Sequence, residues 1–264
     1  MKKLMDDFER DFAEAMQGSV LPMDEVMRYV VEGRGKRLRP QLVFLCARLF
    51  GEVDERTRRV ALFAELLHTA TLIHDDVVDD SVERRHRPSV NARYGNLTAV
   101  LAGDYLLSKA MLLLSEPDEH RLLKTMLQAA MAMSEGELLQ ARPASAEELS
   151  STAYLEVIER KTAQLIRACC LGGAMAVLGE KTEDRSQKLE LVGEFGLNLG
   201  LAFQMRDDLL DADSPENVAL AERLLPLYLD KTLQTLDALA PMVENHEAWV
   251  QLRELAVFCA TRNQ

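Results

Sequence analysis

Apolar positions recur at three- and four-residue spacing along almost the whole chain, the pattern of amphipathic and buried helices. In MDEVMRYVVEG, Val26, Met27, Val30 and Val31 share one face. In PQLVFLCARLFG the face is Leu42, Leu45, Cys46 and Leu49, with Pro40 tolerated at a helix start and Gly51 ending the run. Residues 54–80 predict one long helix that turns apolar on every side at ALFAELLHTATLI, as expected of an element surrounded by other helices. Further helices are predicted over 97–114, 120–140 and 145–179, from about Ser186 through DDLLD, and over 216–240 and 244–262. Ser145 and Glu148 are placed as a capping box. No convincing alternating segment longer than five residues predicts a strand. The breaks at 87–91, 116–119, 142–145 and 212–217 are too short for interdomain linkers, so residues 1–264 are expected to form one all-α domain, a large helical bundle.

Composition narrows the function classes. Hydrophobic residues at 48% and charged residues at 28% argue against disorder, and 13 glycines with 8 prolines are too few for a turn-rich barrel. A net charge of −12 repels a nucleic-acid backbone unless basic groups are concentrated in one place. Cys46, Cys169, Cys170 and Cys259 show neither C-x-x-C nor zinc spacing and suit reduced, buried thiols. The start, MKKLMDDFERDF, meets acidic residues where a signal peptide needs an apolar run, and no uncharged apolar stretch reaches 18 residues. The expectation is a soluble, acidic, cytoplasmic chain without a transmembrane segment or a nucleic-acid partner.

The chemistry is concentrated in HDDVVDD at 74–80 and RDDLLD at 206–211. Asp75, Asp76 and Asp79, and again Asp207, Asp208 and Asp211, stand at i, i+1 and i+4, so one helical turn can bring their carboxylates to one side. Both clusters interrupt apolar helix, where uncompensated carboxylates repel one another and are costly to bury. A divalent cation removes both penalties, and carboxylate oxygens facing an anionic substrate favour Mg²⁺. One such cluster is usually a solvated face; two copies 132 residues apart, each in an apolar helix, are not readily explained that way.

Basic groups lie beside these clusters. GKRLRP packs Lys36, Arg37 and Arg39 just before a helix, and Arg84, Arg85 and Arg87 follow the first cluster. Guanidinium forks and a lysine point charge suit phosphate oxygens. His68 lies two turns before Asp75; Lys161 and Thr162 interrupt the apolar YLEVIERKTAQLI; Gln204 is at i−4 from Asp208. Asp104 reads equally as a site group or as a helix-packing acceptor, and Glu135, Glu137 and Gln140 as supporting groups.

The residues GKRLRP, ELLHTATLIHDDVVDD, RR-x-RP, GELLQ, RKTAQL and FQMRDDLLD, in this order, resemble the trans-isoprenyl diphosphate synthases (polyprenyl synthetases) over nearly the whole chain. The resemblance implies an antiparallel all-helical bundle of the isoprenoid synthase type around a deep central cavity, built as a homodimer. It implies Mg²⁺-dependent, head-to-tail condensation of isopentenyl diphosphate with an allylic diphosphate, with two or three Mg²⁺ ions per active site. Carried over by residue, Asp75, Asp76 and Asp79 would hold Mg²⁺ against the allylic diphosphate, with Arg84 touching the same group. Asp207 and Asp208 would hold another Mg²⁺, with Asp211 supporting through water. Lys36, Arg39, His68 and Arg85 match contacts to isopentenyl diphosphate; Lys161, Thr162 and Gln204 match residues bordering the allylic diphosphate and the developing cation. Ala70 and Thr71, small and about one turn before Asp75, mark the chain-length gate, and their size implies products of at least twenty carbons.

Two departures stand out. The family pattern continues after the second motif with a stretch holding further lysines, whereas here DDLLDADSPENVAL runs almost directly into the last helices. Between about Asp213 and Ser214 either a natural deletion has left a weak enzyme or a non-catalytic partner subunit, or the sequence omits a segment; the abrupt D-A-D-S-P junction favours omission. His86 stands where the family pattern has glycine. A metal phosphohydrolase built on His74-Asp75 lacks a partner histidine at suitable spacing, and a terpene cyclase needs neither GKRLRP nor two D-D-x-x-D motifs.

Overall fold

The computed structural model describes residues 1–33, 35–141, 150–179, 183–212 and 214–262. The expected capping box at Ser145 and Glu148, and Asp213 at the abrupt junction, lie outside the described residues. The helices are α1 (Lys2–Ala15), α2 (Leu21–Glu32), α3 (Leu38–Arg48), α4 (Glu55–Val78), α5 (Val90–Tyr94), α6 (Asn96–Leu113), α7 (His120–Gln140), α8 (Ser151–Ile158), α9 (Gln164–Leu178), α10 (Glu183–Asp211), α11 (Pro215–Leu239) and α12 (His246–Thr261). A π-helical turn, Glu159–Ala163, joins α8 to α9. The sole sheet among the described residues pairs β1 (Glu83–Arg84) with β2 (Arg87–Pro88). The all-α expectation therefore holds but for this ladder. Among the described residues no single helix is long and apolar enough to cross a membrane.

Packing divides the chain into two compact units: Met1–Gln41 with Arg58–Leu123, and Leu42–Thr57 with Lys124–Gln264. In the first, α1 is an element that the apolar spacing above does not assign. Phe8 and Phe12, at i and i+4, stack at 5.8 Å and are buried with Met16. The α4 stretch Val60–Leu67 is buried on every side, Glu65 included, which is the surrounded helix anticipated from ALFAELL. Gly103 of α6 faces His74, whose Nε2 would lie 2.2 Å from a Cβ there, so any side chain at 103 would displace the imidazole. His74 Nε2 lies 3.1 Å from the Val100 carbonyl and 3.5 Å from Asp104, giving Asp104 a packing partner.

The second unit is built on the apolar face of α3, with Leu42, Leu45, Cys46 and Leu49 buried as their spacing predicts. Predicted as one run, 145–179 instead contains the π turn between α8 and α9. Two glycines let neighbouring backbone crowd that turn: a Cβ on Gly136 would sit 2.4 Å from the Lys161 nitrogen, and one on Gly200 2.5 Å from the Ala163 Cα. The π turn re-aims Lys161 and Thr162, a device often found at functional sites. Tyr154 and Ile158 of α8, Ala163 of the π turn, Leu201 and Met205 of α10 and Ala221 of α11 form an apolar cluster. Leu220, Leu224, Leu225 and Tyr228 of α11 pack against it, so α11 covers the wall beside the second aspartate motif. All four cysteines are buried and unbridged.

Candidate active site

In the first unit, the last turn of α4 presents Asp75 half-buried and Asp79 exposed, while Asp76 is turned inwards and is 1% exposed. Asp76 Oδ1 accepts from Arg84 Nε at 2.7 Å. Burial raises the Asp76 pKa above the usual carboxylate range, and Arg84 opposes that shift. The backbone behind Asp76 is held too: Asn91 Nδ2 donates to the carbonyls of Asp76 and Ser81, each at 3.0 Å. The β1–β2 turn is made by Arg85 and His86, with φ of 53° and 61°. Two consecutive left-handed residues are what a tight two-residue hairpin demands, which explains the glycine of the family pattern at 86. Fixed this way, Arg85 donates from Nη1 to the Gly33 carbonyl at 2.7 Å.

Around His68 the field is strongly positive. Burial comes first, followed by the guanidiniums of Arg39, Arg85, Arg84 and Arg37, and together they hold its pKa well below the ordinary imidazole value, so the ring is neutral at pH 7. Lys36 is exposed and Arg39 half-buried. A cavity of about 80 Å³ beneath the hairpin is walled in part by Glu65, Thr69, Asp76, Arg84 and Arg85. Arg87 serves the scaffold: it stacks on Tyr29 at 4.3 Å and pairs with Glu32 at 2.7 Å. Ala70 is 2% exposed, and Thr71 donates its hydroxyl hydrogen to the His68 carbonyl at 2.9 Å.

In the second unit a relay of side chains leads to the second motif. Thr162 Oγ1 donates to Gln204 Oε1 at 2.6 Å, Gln204 Nε2 donates to Asp208 Oδ1 at 2.9 Å, and the Tyr154 hydroxyl donates to Asp208 Oδ2 at 2.5 Å. Lys161 Nζ pairs with Glu137 at 2.8 Å. Asp207 pairs with Arg262, whose guanidinium lies 4.1 Å over the Phe203 ring. Burial raises the Asp207 pKa against the opposing pull of Arg262. A pocket of about 670 Å³ opens here, lined on its polar side by Tyr154, Lys161, Thr162, Gln204, Asp208 and Asp211. Its far rim is the start of α11, at Ser214, Glu216 and Asn217.

Both motifs thus sit beside cations at helix ends. The sequence profile described as polyprenyl synthetase matches residues 21–220. The chain belongs to the polyprenyl synthetase family. It is 39% identical over 183 residues to an octaprenyl diphosphate synthase of Haemophilus influenzae, covering 69% of this chain and 54% of that protein. To an all-trans-nonaprenyl-diphosphate synthase (geranyl-diphosphate specific) of Rhodobacter capsulatus it is 39% identical over 202 residues, covering 76% of this chain and 60% of the relative. The chain thus spans little more than half the length of these curated relatives. Over its whole length this polyprenyl synthetase family member resembles the crystal structure of a polyprenyl synthase from Caulobacter crescentus CB15, complexed with calcium and isoprenyl diphosphate; the TM-score is 0.83, the identity 28%, and 96% of that chain is covered.

In this family member the donors fit a hard divalent cation in kind: Asp75 and Asp79 are one turn apart outside the packed core, and Asp208 and Asp211 line one pocket. Among the described residues no three Asp, Glu, His or Cys side chains stand as a ready metal cage. The reason is visible in the partners: Asp76 is taken by Arg84, Asp207 by Arg262, and Asp208 by Tyr154 and Gln204. Tyr154, Arg262 and the pairing of Arg37 with Glu65 escaped the sequence reading. Only Tyr154 left a signal, a polar-tipped residue one turn before Ile158 on the way to Lys161.

Proposed function

We propose that the chain is a prenyltransferase that condenses isopentenyl diphosphate head-to-tail with an allylic diphosphate to give a trans-polyprenyl diphosphate. The observation that carries this is the cavity walled by Arg37, Arg84 and Arg85 with Asp76, next to the Asp75–Asp79 turn: an anion site beside carboxylates suited to a cation. The names of the relatives support the same chemistry. Lys36, Arg39, His68 and Arg85 bind the isopentenyl diphosphate, with His68 donating as a neutral ring. Arg84 meets the allylic diphosphate, and Asp75, Asp76, Asp79, Asp207, Asp208 and Asp211 hold Mg²⁺. When bound, Mg²⁺ neutralises charge on the departing diphosphate as the allylic C–O bond breaks. Lys161 exchanges Glu137 for a diphosphate oxygen, while the carbonyl and hydroxyl dipoles of Gln204 and Thr162 face the allylic cation. The isopentenyl double bond attacks, and the proton lost from the new bond goes to the leaving diphosphate. Nothing here requires a nucleophilic side chain, and apolar walls exclude the water that would quench the cation.

The small residues Ala70 and Thr71 favour products of at least twenty carbons, since a growing tail passes small side chains and is stopped by bulky ones. The partner is a second copy of the chain: Leu97, Leu101 and Leu112, on one face of α6, are 76%, 51% and 71% exposed, and an apolar stripe of this kind suits an interface. Sedimentation at micromolar concentration reads this out; a monomer there overturns the homodimer. Buried, unbridged cysteines accord with a cytoplasmic setting.

The second reading is a catalytically impaired partner subunit. It is favoured by the acidic start of α11, where Glu216 lines the pocket and the family pattern would bring a lysine. One experiment separates the two: the purified chain is incubated with Mg²⁺, isopentenyl diphosphate and allylic diphosphates of increasing length, and products are chromatographed. Elongated product that disappears in excess chelator establishes the enzyme. No product from any primer, with the fold intact by circular dichroism, favours the partner subunit.

A further inference from the structure

GKRLRP holds three cations, and Arg37, the middle one, is packed into the wall of the cavity beneath the hairpin. It is 8% exposed and its donors are engaged: Nε and Nη2 reach Glu9 at 2.9 and 3.3 Å, and Nη1 reaches Glu65 at 2.8 Å. The flat face of the guanidinium lies 4.2 Å over the ring of Phe12. Glu65 is itself buried, one helical turn before His68. One side chain therefore ties α1, the loop before α3 and the middle of α4 together.

The backbone at the same residue is unusual. Arg37 has φ of 51°, a left-handed conformation that side-chain-bearing residues seldom adopt, and its carbonyl accepts the first helical bond of α3 from Gln41 at 3.3 Å. The chain thus enters α3 through one left-handed residue, with Lys36 before it and Arg39 two positions after it. How these two cations are presented depends on that backbone conformation, and the side chain of the same residue is held by the clamp on Glu9 and Glu65.

We infer that Arg37 is a positioning residue for isopentenyl diphosphate, fixing the left-handed entry to α3 that presents Lys36 and Arg39 while touching no substrate itself. This rests on the proposed prenyltransferase reading. It also gives Glu65 a purpose: a buried carboxylate that pairs with the buried Arg37.

The test titrates isopentenyl diphosphate, and separately geranyl diphosphate, into wild type, E9Q and the double variant R37G/E65Q. The double variant keeps access to the left-handed backbone, and removing both partners avoids a buried orphan charge. E9Q, at the half of the clamp open to solvent, guards against a misfolded double variant. Melting temperature and steady-state kinetics are read on each. Expected is a rise in Kd and KM for isopentenyl diphosphate of about tenfold in R37G/E65Q and about threefold in E9Q. The KM for geranyl diphosphate should stay within about twofold and kcat at saturation within about threefold. Equal weakening of both substrates would make the clamp merely structural and overturn the role, as would unchanged isopentenyl diphosphate affinity in a folded R37G/E65Q. A wild type that binds no isopentenyl diphosphate at all overturns the prenyltransferase reading, and this role with it.

Discussion

The Tyr154 hydroxyl donates to Oδ2 of Asp208 at 2.5 Å while Gln204 occupies Oδ1, so both oxygens of this motif carboxylate are oriented before any ligand arrives. Burial, followed by the hydrogen bond to Asp208, raises the Tyr154 pKa and keeps the phenol a donor at every working pH. Replacing Tyr154 with Phe keeps the packing and removes one bond to a charged acceptor, a loss of about 1–3 kcal/mol. Urea denaturation should show that loss, and the Mg²⁺ concentration for half-maximal activity should rise several-fold. An unchanged Mg²⁺ requirement would deny Tyr154 any part in orienting Asp208.

Stability should fall with acid through His68. The unfolded imidazole takes up a proton as the pH drops below its ordinary value of 6.5, whereas the folded ring, half-buried in the field of Arg39, Arg85, Arg84 and Arg37, resists. The unfolded state then binds more protons than the native one, so unfolding becomes easier as pH falls from about 7, by up to about 1.4 kcal/mol per pH unit. Replacing His68 with Gln removes this contribution. Denaturant titrations at pH 7.5, 6.5 and 5.5 should show the variant gaining on wild type as the solution is acidified; a constant difference would mean that His68 titrates alike in both states.

At the hairpin tip, His86 holds φ of 61°. A left-handed backbone costs a side-chain-bearing residue about 1–2 kcal/mol, partly offset by the extra freedom glycine has when unfolded. His86→Gly should therefore stabilise the protein by about 0.5–1 kcal/mol in urea, without weakening substrate binding. Destabilisation would show that the imidazole contributes contacts worth more than the backbone relief.

The gate can be tested at two neighbouring positions. Ala70 is 2% exposed, so a phenyl ring there overpacks the interior and should cost about 1–3 kcal/mol. Thr71 is half-buried and tolerates the same ring better. With farnesyl diphosphate as primer, wild type should extend to at least twenty carbons, and Ala70→Phe and Thr71→Phe should both shorten the product. A wild type that adds nothing to fifteen carbons would refute the open channel, and unaltered long products from both variants would place the tail elsewhere.

Helix period, cysteine burial and the two aspartate clusters were legible in the sequence because each is a property of neighbouring residues. A buried face repeats every three or four positions, and three carboxylates within five residues repel wherever the helix lies. What those groups pair with is not local. Asp208 and Tyr154 are 54 residues apart, Asp207 and Arg262 are 55 apart, and Arg37 reaches both Glu9 and Glu65 across 28. The spacing of GKRLRP shows three equivalent cations; only tertiary packing buries the middle one as a clamp. The same holds at Lys161 and Thr162, where a continuous helical pattern conceals a π turn crowded by backbone at Gly136 and Gly200. Local sequence sets which face of a helix is apolar, but the partner of a buried charge is set by which distant helix comes within 3 Å of it, and that depends on how every other side chain packs.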